Sequence, residues 1–459
     1  MLYFMKKSCK GETKMKLKSM FAVFATVSLS LGALTGCGTS KETANTAKEK
    51  KDDLPWDEQA KGYKMEKDVL NGKEPLKVWL DNDDYANGII QAFNAKYPKV
   101  KIEYEKVGAV DTRAKMELDG EAGLGADVFV QPHDGIGASL ESAIIGPMGR
   151  YTDQIKDHFL DASVGTVMKD DQAYGVPIST ESVALFYNKT LLKQLTGSDT
   201  APTEWDQITE LANTYNDKKK NQWTIRWEAG NSYTSYFFLS SYGYDLFGKD
   251  GKDASQIGFD SSEVKAALES LKAARQIWDV NSADATNDTT TLEFAKGKTP
   301  FLITGPWAIA DVQKGADKNK FEFGIAKLPK INGNQPITFS GNQIANVSSY
   351  SKHPAAARIF AMFLGSKEGA EVLYKTTGKL PALKEQYASE VTGLGKDELL
   401  KGVAAQAAFS KPMPSIPEMA NWWDPAKNMI VNVWDGLMSP EAAQKKAVED
   451  YEALQAGKK

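Results

Sequence analysis

Glu181 is a carboxylate in a stretch that otherwise reads as buried. In VPISTESVALFYNKTLL (176–192), Val183, Leu185 and Tyr187 alternate with Ala184 and Phe186 as a strand does. A charge between two such segments needs a partner, and a ligand hydroxyl would serve. Residues of matching chemistry recur elsewhere. Trp79, Asp81, Asp83 and Asp84 cluster around the end of an apolar run at 76–80, and Gln131, His133 and Asp134 follow another at 126–131. Trp307 sits in the turn TGPW, and Trp422 and Trp423 follow the stiff, proline-rich PMPSIP at 412–417. A pyranose has an apolar C–H face on which rings stack and a rim of hydroxyls that carboxylates and amides grip. Indoles and acids together are the chemistry of a saccharide groove.

Each of these residues also has a plain structural reading. Asp83 or Asp84 is expected to cap a helix, and any one Trp is an ordinary core residue. The aromatics of 228–247 (Tyr233, Tyr236, Phe237, Phe238, Tyr242, Tyr244 and Phe247) read mostly as core at helical spacing. Other chemistries find little support. GEAGLG at 120–125 precedes a strand instead of following one, so it is no phosphate loop. There is no GxSxG elbow. The three histidines, His133, His158 and His353, lack zinc-site spacing and read as surface or packing residues.

The elements that must position these groups read as α/β. The order is strand at 76–80, helix at 84–97 stopped by Pro98, strand at 100–105, helix at 111–121 and strand at 126–131. This βαβαβ order predicts a parallel, doubly wound sheet, with ligands beyond the carboxyl ends of its strands. The second half has similar grammar: a helix from about 202 to 215 with Thr203 as its N-cap, strands at 223–227, 299–303 and 321–328, and an amphipathic helix at 261–280. An Ala-rich helix opens at Pro354, another carries Trp422 and Trp423, and Ser439 and Pro440 start the last.

The chain has 459 residues, a formal charge of −4 and 25% charged residues, an ordinary globular composition of two or three folding units. Its six N-terminal lysines (Lys6 to Lys18) leave the remainder more acidic still, which argues against a nucleic-acid partner. They precede the apolar run MFAVFATVSLSLGAL at 20–34, so 1–36 reads as a secretory signal. Cys37 closes LTGC, which resembles the bacterial lipobox, and a diacylated Cys37 (palmitate among its chains) would anchor the protein on the outer face of the cell membrane of a Gram-positive bacterium. The other cysteine is Cys9, so no disulfide or cysteine metal site forms in the body. The charged, aliphatic-poor residues that follow, within 37–70, read as a flexible tether.

Taken in order, VWLDNDDYANG, FVQPHDGIG, TESVALFYNK, GNSYTSYFFLSSYGY, ITGPWA and MPSIPEMANWW resemble segments of the maltose/maltodextrin-binding proteins, the solute-binding components of sugar ABC importers. The resemblance runs from about Leu76 to the C-terminus. It implies a two-lobed periplasmic-binding-protein fold. One lobe is 71–180 plus 342–388, and the other is 181–341 plus 389–459, with crossings near Thr180–Ser182 and Ser340–Asn342. Each lobe is a mostly parallel sheet flanked by helices. It places ligand-binding residues at Trp79, Asp81, Asp83, Asp134, Glu181, Tyr233, Trp307 and Trp423, in a cleft that closes on an oligosaccharide. It implies a non-catalytic monomer without cofactor or metal that docks on ABC importer permease subunits. Asp84, Val130, Gly135 and Asn231 stand where the enterobacterial maltose binder has lysine, tryptophan, arginine and glutamate. Those departures keep a galacto- or xylo-oligosaccharide receptor open beside the maltodextrin reading. A surface glycoside hydrolase is a more distant rival, resting on carboxylates near aromatics.

Overall fold

The computed structural model describes residues 54–457. The signal peptide, Cys37 and the first part of the expected tether lie outside the described residues.

Strand β1 (Leu76–Leu80) is buried but for Lys77 and is paired in parallel on both sides, with β2 (Ile102–Lys106) and β3 (Val128–Pro132). β2 is the edge, and its alternating IEYEK leaves Glu103 and Glu105 exposed. Between β1 and β2 runs α1 (Asp83–Lys96), which buries Tyr85, Ala86, Ile89 and Phe93. Its cap is Asn82, whose side chain accepts the Tyr85 N–H at 2.9 Å. Neither Asp83 nor Asp84 caps it; both fall inside the first turn. α2 (Thr112–Asp119) leads into β3.

The larger sheet continues through β4 (Val176–Ser182). One residue later β5 (Ala184–Asn188) belongs to the smaller sheet. That sheet also holds β6 (Ile225–Trp227), β7 (Phe301–Thr304) and β8 (Phe323–Ala326), in the order β6-β7-β5-β8 with β5 antiparallel to its neighbours. Its two faces join different cores: Leu185, Trp227 and Ile303 pack on one side, Ala184, Phe186 and Leu302 on the other. The strand expected at 223–227 is confined to β6. Helix α3 (Ser232–Ser241) carries the aromatic run, α4 (Ser262–Ala274) is shorter than its apolar pattern suggests, and α5 (Asn287–Ala295) and α6 (Ile309–Asn319) flank β7. The helix after Pro202 is capped by Glu204 through a capping box with Gln207, not by Thr203.

The chain returns in β9 (Thr338–Ser348). Its Ser340, Gly341 and Asn342 pair with Ser182, Glu181 and Thr180, so the two crossings between sheets are neighbours in one antiparallel ladder. β9 also pairs with β3, while β10 (Leu380–Pro381) adds to β4, giving the path β10-β4-β9-β3-β1-β2. Helices α7 (Pro354–Leu364) and α8 (Lys367–Thr377) lie between β9 and β10; β11 (Ser410–Pro412) edges the start of β9. α9 (Met419–Trp434) and α10 (Pro440–Ala456) complete the second core, the latter opened by Ser439 and Pro440 as expected.

The tether reading is corrected for residues 54–70. Trp56–Asp57 and Gly62–Tyr63 form a hairpin, and Trp56, Tyr63 and Tyr151 pack edge to face with centroids 4.9–5.4 Å apart. The Glu66 carboxylate accepts the N–H groups of Ala355 and Ala356, both at 2.8 Å, at the start of α7. Mean composition hides these few anchoring side chains.

Candidate ligand-binding site

Glu181 sits on β4 where the chain leaves the larger sheet, opposite Gly341 of β9. One carboxylate oxygen accepts the Gln343 side-chain N–H at 2.8 Å. The other, Oε2, is buried without a hydrogen-bond partner, as is Oε1 of Gln343. Two unpartnered acceptors side by side call for donors, since an unmade buried hydrogen bond is costly. Gly341 lies opposite Glu181 among close neighbours. A Cβ there would lie 3.5 Å from Glu181 Cγ, 3.7 Å from Tyr233 Oη and 3.4 Å from Met413 Cε. Three distant stretches of chain therefore converge on one glycine of the crossing.

Tyr233 enters from the first turn of α3, after the Asn231 side chain has capped that helix. Its hydroxyl donates to the Phe339 carbonyl at 3.4 Å, and its ring lies 6.2 Å from that of Trp307 and 6.2 Å from that of Phe339. Burial, then the nearby Glu181 and Asp134 charges, hold its phenol well above the usual range. Phe339 in turn meets Trp423 at 6.2 Å and Trp422 at 5.6 Å. The Trp423 indole donates to Asp134 Oδ2 at 2.9 Å, which ties α9 to the turn after β3. Burial pushes the Asp134 carboxyl up, with His133 and the Trp423 N–H pulling the other way. Trp307 follows β7, its N–H donating to Asn287 Oδ1 at 3.0 Å. Its ring lies flat enough on Gly305 that a Cβ there would come within 2.0 Å of it, and it borders a cavity of ≈ 470 Å³ between α5 and α6.

Glu181, Tyr233, Trp307, Asp134 and Trp423 thus form one connected set. Asp81 joins through Lys379, whose Nζ lies 3.3 Å from Asp81 Oδ2. Asp83 stands apart, exposed, accepting from Tyr104 Oη at 2.9 Å and Lys106 Nζ at 2.8 Å, which lower its carboxyl, Lys106 foremost. Trp79 does not reach an open surface. It is the fourth residue of β1, 2% exposed, with the Lys115 ammonium 4.6 Å over its ring. Trp422 is likewise core, its N–H donating to Tyr244 Oη at 3.1 Å.

His133 is a buried bridge. Its Nδ1 accepts the Asn342 N–H at 3.0 Å, so Nε2 carries the proton and donates to the Met413 carbonyl at 2.9 Å. Burial lowers its pKa, which keeps the ring neutral as that pairing demands. Lys379, Gln343, Phe339 and Asn287 were not singled out by sequence. Gly378, left-handed at φ +70°, closes α8 just before Lys379. Among the described residues, no group of three or more His, Cys, Asp or Glu is placed to hold a metal ion, and no helix is long and apolar enough to cross a membrane.

The arrangement suits a neutral, hydroxyl-rich ligand held between rings and acceptors beside the paired crossings. Comparison with known proteins agrees. The chain is 29% identical over 440 residues to a galactooligosaccharide-binding protein of Bacillus subtilis strain 168, covering 94% of this chain and 95% of that one. It is 28% identical over 451 residues to a maltooligosaccharide ABC transporter solute-binding lipoprotein of Streptococcus pneumoniae strain R6, covering 94% and 96%. A Streptococcus pneumoniae structure in complex with maltopentaose superposes with a TM-score of 0.73 at 26% identity, over 83% of this chain and 100% of that one. Residues 88–400 match the family described as bacterial extracellular solute-binding protein, and the chain belongs to that family.

Proposed function

We propose that this protein captures malto-oligosaccharides outside the cell and delivers them to the permease subunits of an ABC sugar importer. It does so without catalysis, as a monomer held to the membrane by lipid on Cys37. The observation that carries the reading is the connected set of Glu181, Tyr233, Trp307, Asp134 and Trp423, of which Glu181 and Tyr233 meet at Gly341, where both crossings run side by side. The lobes would be 71–180 with 342–388 and 181–341 with 389–459, and ligand would favour their closure about the paired crossings. The names of relatives from Bacillus subtilis and Streptococcus pneumoniae support an oligosaccharide ligand and an ABC importer.

A second reading keeps the receptor and changes the sugar, because the galactooligosaccharide-binding relative matches 94% of the chain at 29% identity. Titration of maltose through maltoheptaose, and of galacto-oligosaccharides, against tryptophan fluorescence separates the two. We expect saturable quenching or enhancement across the malto series. A response to galacto-oligosaccharides alone overturns the sugar, and silence to both overturns the receptor reading. Mass spectrometry of the membrane-bound protein checks the lipid.

A further inference from the structure

Lys379 stands between two carboxylates of the site. It follows the left-handed Gly378 and precedes β10. The ladder pairs Leu380 with Thr180 and Pro381 with Ser179, so the next step of that antiparallel register sets Lys379 beside Glu181. On the other flank of Glu181 the ladder sets Gly341. The lysine side chain is only 10% exposed, and its ammonium reaches Asp81, just past the end of β1. One cation therefore pairs with an acid at the strand end and lies beside an acid of the crossing.

We propose that Lys379 is a positioning residue for ligand binding, holding Asp81 and Glu181 together as charged acceptors for the hydroxyls of the sugar. The proposal rests on the receptor reading above. Burying an ammonium is unfavourable unless opposite charge surrounds it. Here burial lowers the Lys379 pKa, but Asp81 and then Glu181 outweigh it, so the group ends above its ordinary value. Other groups do not replace it. Of the other groups that feel the Asp81 charge, Lys106 is bound to Asp83, and Tyr85 and Tyr104 are phenols. Near Glu181 stand Gln343 and the phenol of Tyr233, neither of them cationic. Without Lys379 two like charges would face each other with no cation between them, and Asp81 would lose its ion-pair partner.

The test is a double-mutant cycle read twice. Calorimetry with maltotetraose on the full chain should show Lys379→Met weakening binding by roughly tenfold, the scale of one charge-assisted hydrogen bond. Lys379→Arg should recover most of the loss. Lys379→Met combined with Asp81→Asn should bind no worse than the weaker single variant, because both remove the same coupling. Wild-type affinity in Lys379→Met, or losses that simply multiply with no rescue by arginine, would overturn the proposal. Thermal midpoints of the same four proteins without ligand give the second reading, with Lys379→Gln standing in should the methionine variant not fold. If the wild type binds no oligosaccharide, the receptor reading fails, and the thermal cycle still decides: non-additive midpoints sustain the Asp81–Lys379 coupling and additive ones refute it.

Discussion

At the scale of single residues, the site divides side chains of one type by environment. Trp79, Trp422 and Trp423 are all indoles near predicted element ends, yet Trp79 and Trp422 are enclosed and only Trp423 is half-buried with an acid on its N–H. Ring contact and hydrogen bond can be separated. Trp423→Ala removes both and is expected to weaken oligosaccharide binding by about 1–3 kcal/mol. Trp423→Phe keeps a stacking face and frees Asp134, so a smaller loss, about 1 kcal/mol, is expected from the missing N–H. Calorimetric titration measures both, and equal affinities for phenylalanine, alanine and wild type would remove Trp423 from the site.

At the scale of elements, turns decide what the strands offer. β7 ends in Thr304, and Gly305 lets the Trp307 ring fold back over the backbone before α6 begins. Gly305 has no need of positive φ; it is there for space. Gly305→Ala should drive the ring from its seat and break its bond to Asn287, with an affinity loss near that of removing the ring, about 1–3 kcal/mol. The near-ultraviolet circular dichroism of the variant should change while its far-ultraviolet spectrum does not. Retained affinity would show that Trp307 does not touch the ligand. The same logic explains the N-terminal hairpin, where Trp56, Tyr63 and Glu66 fix a stretch whose average composition is that of a linker.

At the scale of the whole molecule, the paired crossings lie in one antiparallel ladder, which the proposed function makes both hinge and binding floor. His133 locks this region by joining β9 at Asn342 to the residue after β11, Met413. Its folded-state pKa is depressed, so below about pH 6.5 the unfolded chain binds the extra proton first. Stability from this group is therefore full above about pH 6.5 and declines as pH falls toward the folded value, by at most about 1.4 kcal/mol per pH unit. Asp134, raised by burial, acts in the opposite sense, which makes the difference between wild type and His133→Gln the informative quantity. Urea midpoints from about pH 8 to about pH 5 should fall more steeply in the wild type than in the variant. Parallel curves would refute the role given to His133.

Local physics made much of this legible in the sequence. Apolar periodicity marked β1, α1 and β3, Pro98 marked a helix end and Ser439–Pro440 a beginning, because each acts within a few residues of itself. The acid at Glu181 stood out for the same reason: it interrupts a strand that should be buried. Which polar groups face one another was not readable, because that depends on ladder register between segments far apart in the chain. Pairing alone places Gly341 and Lys379 on either side of Glu181, and packing alone retires Trp79 to the core and turns Asp83 toward Lys106. The sequence by itself determined the kinds of groups available and the elements that carry them. Only the tertiary structure decided which of them share a site, since long-range pairing sets distances that no local pattern encodes.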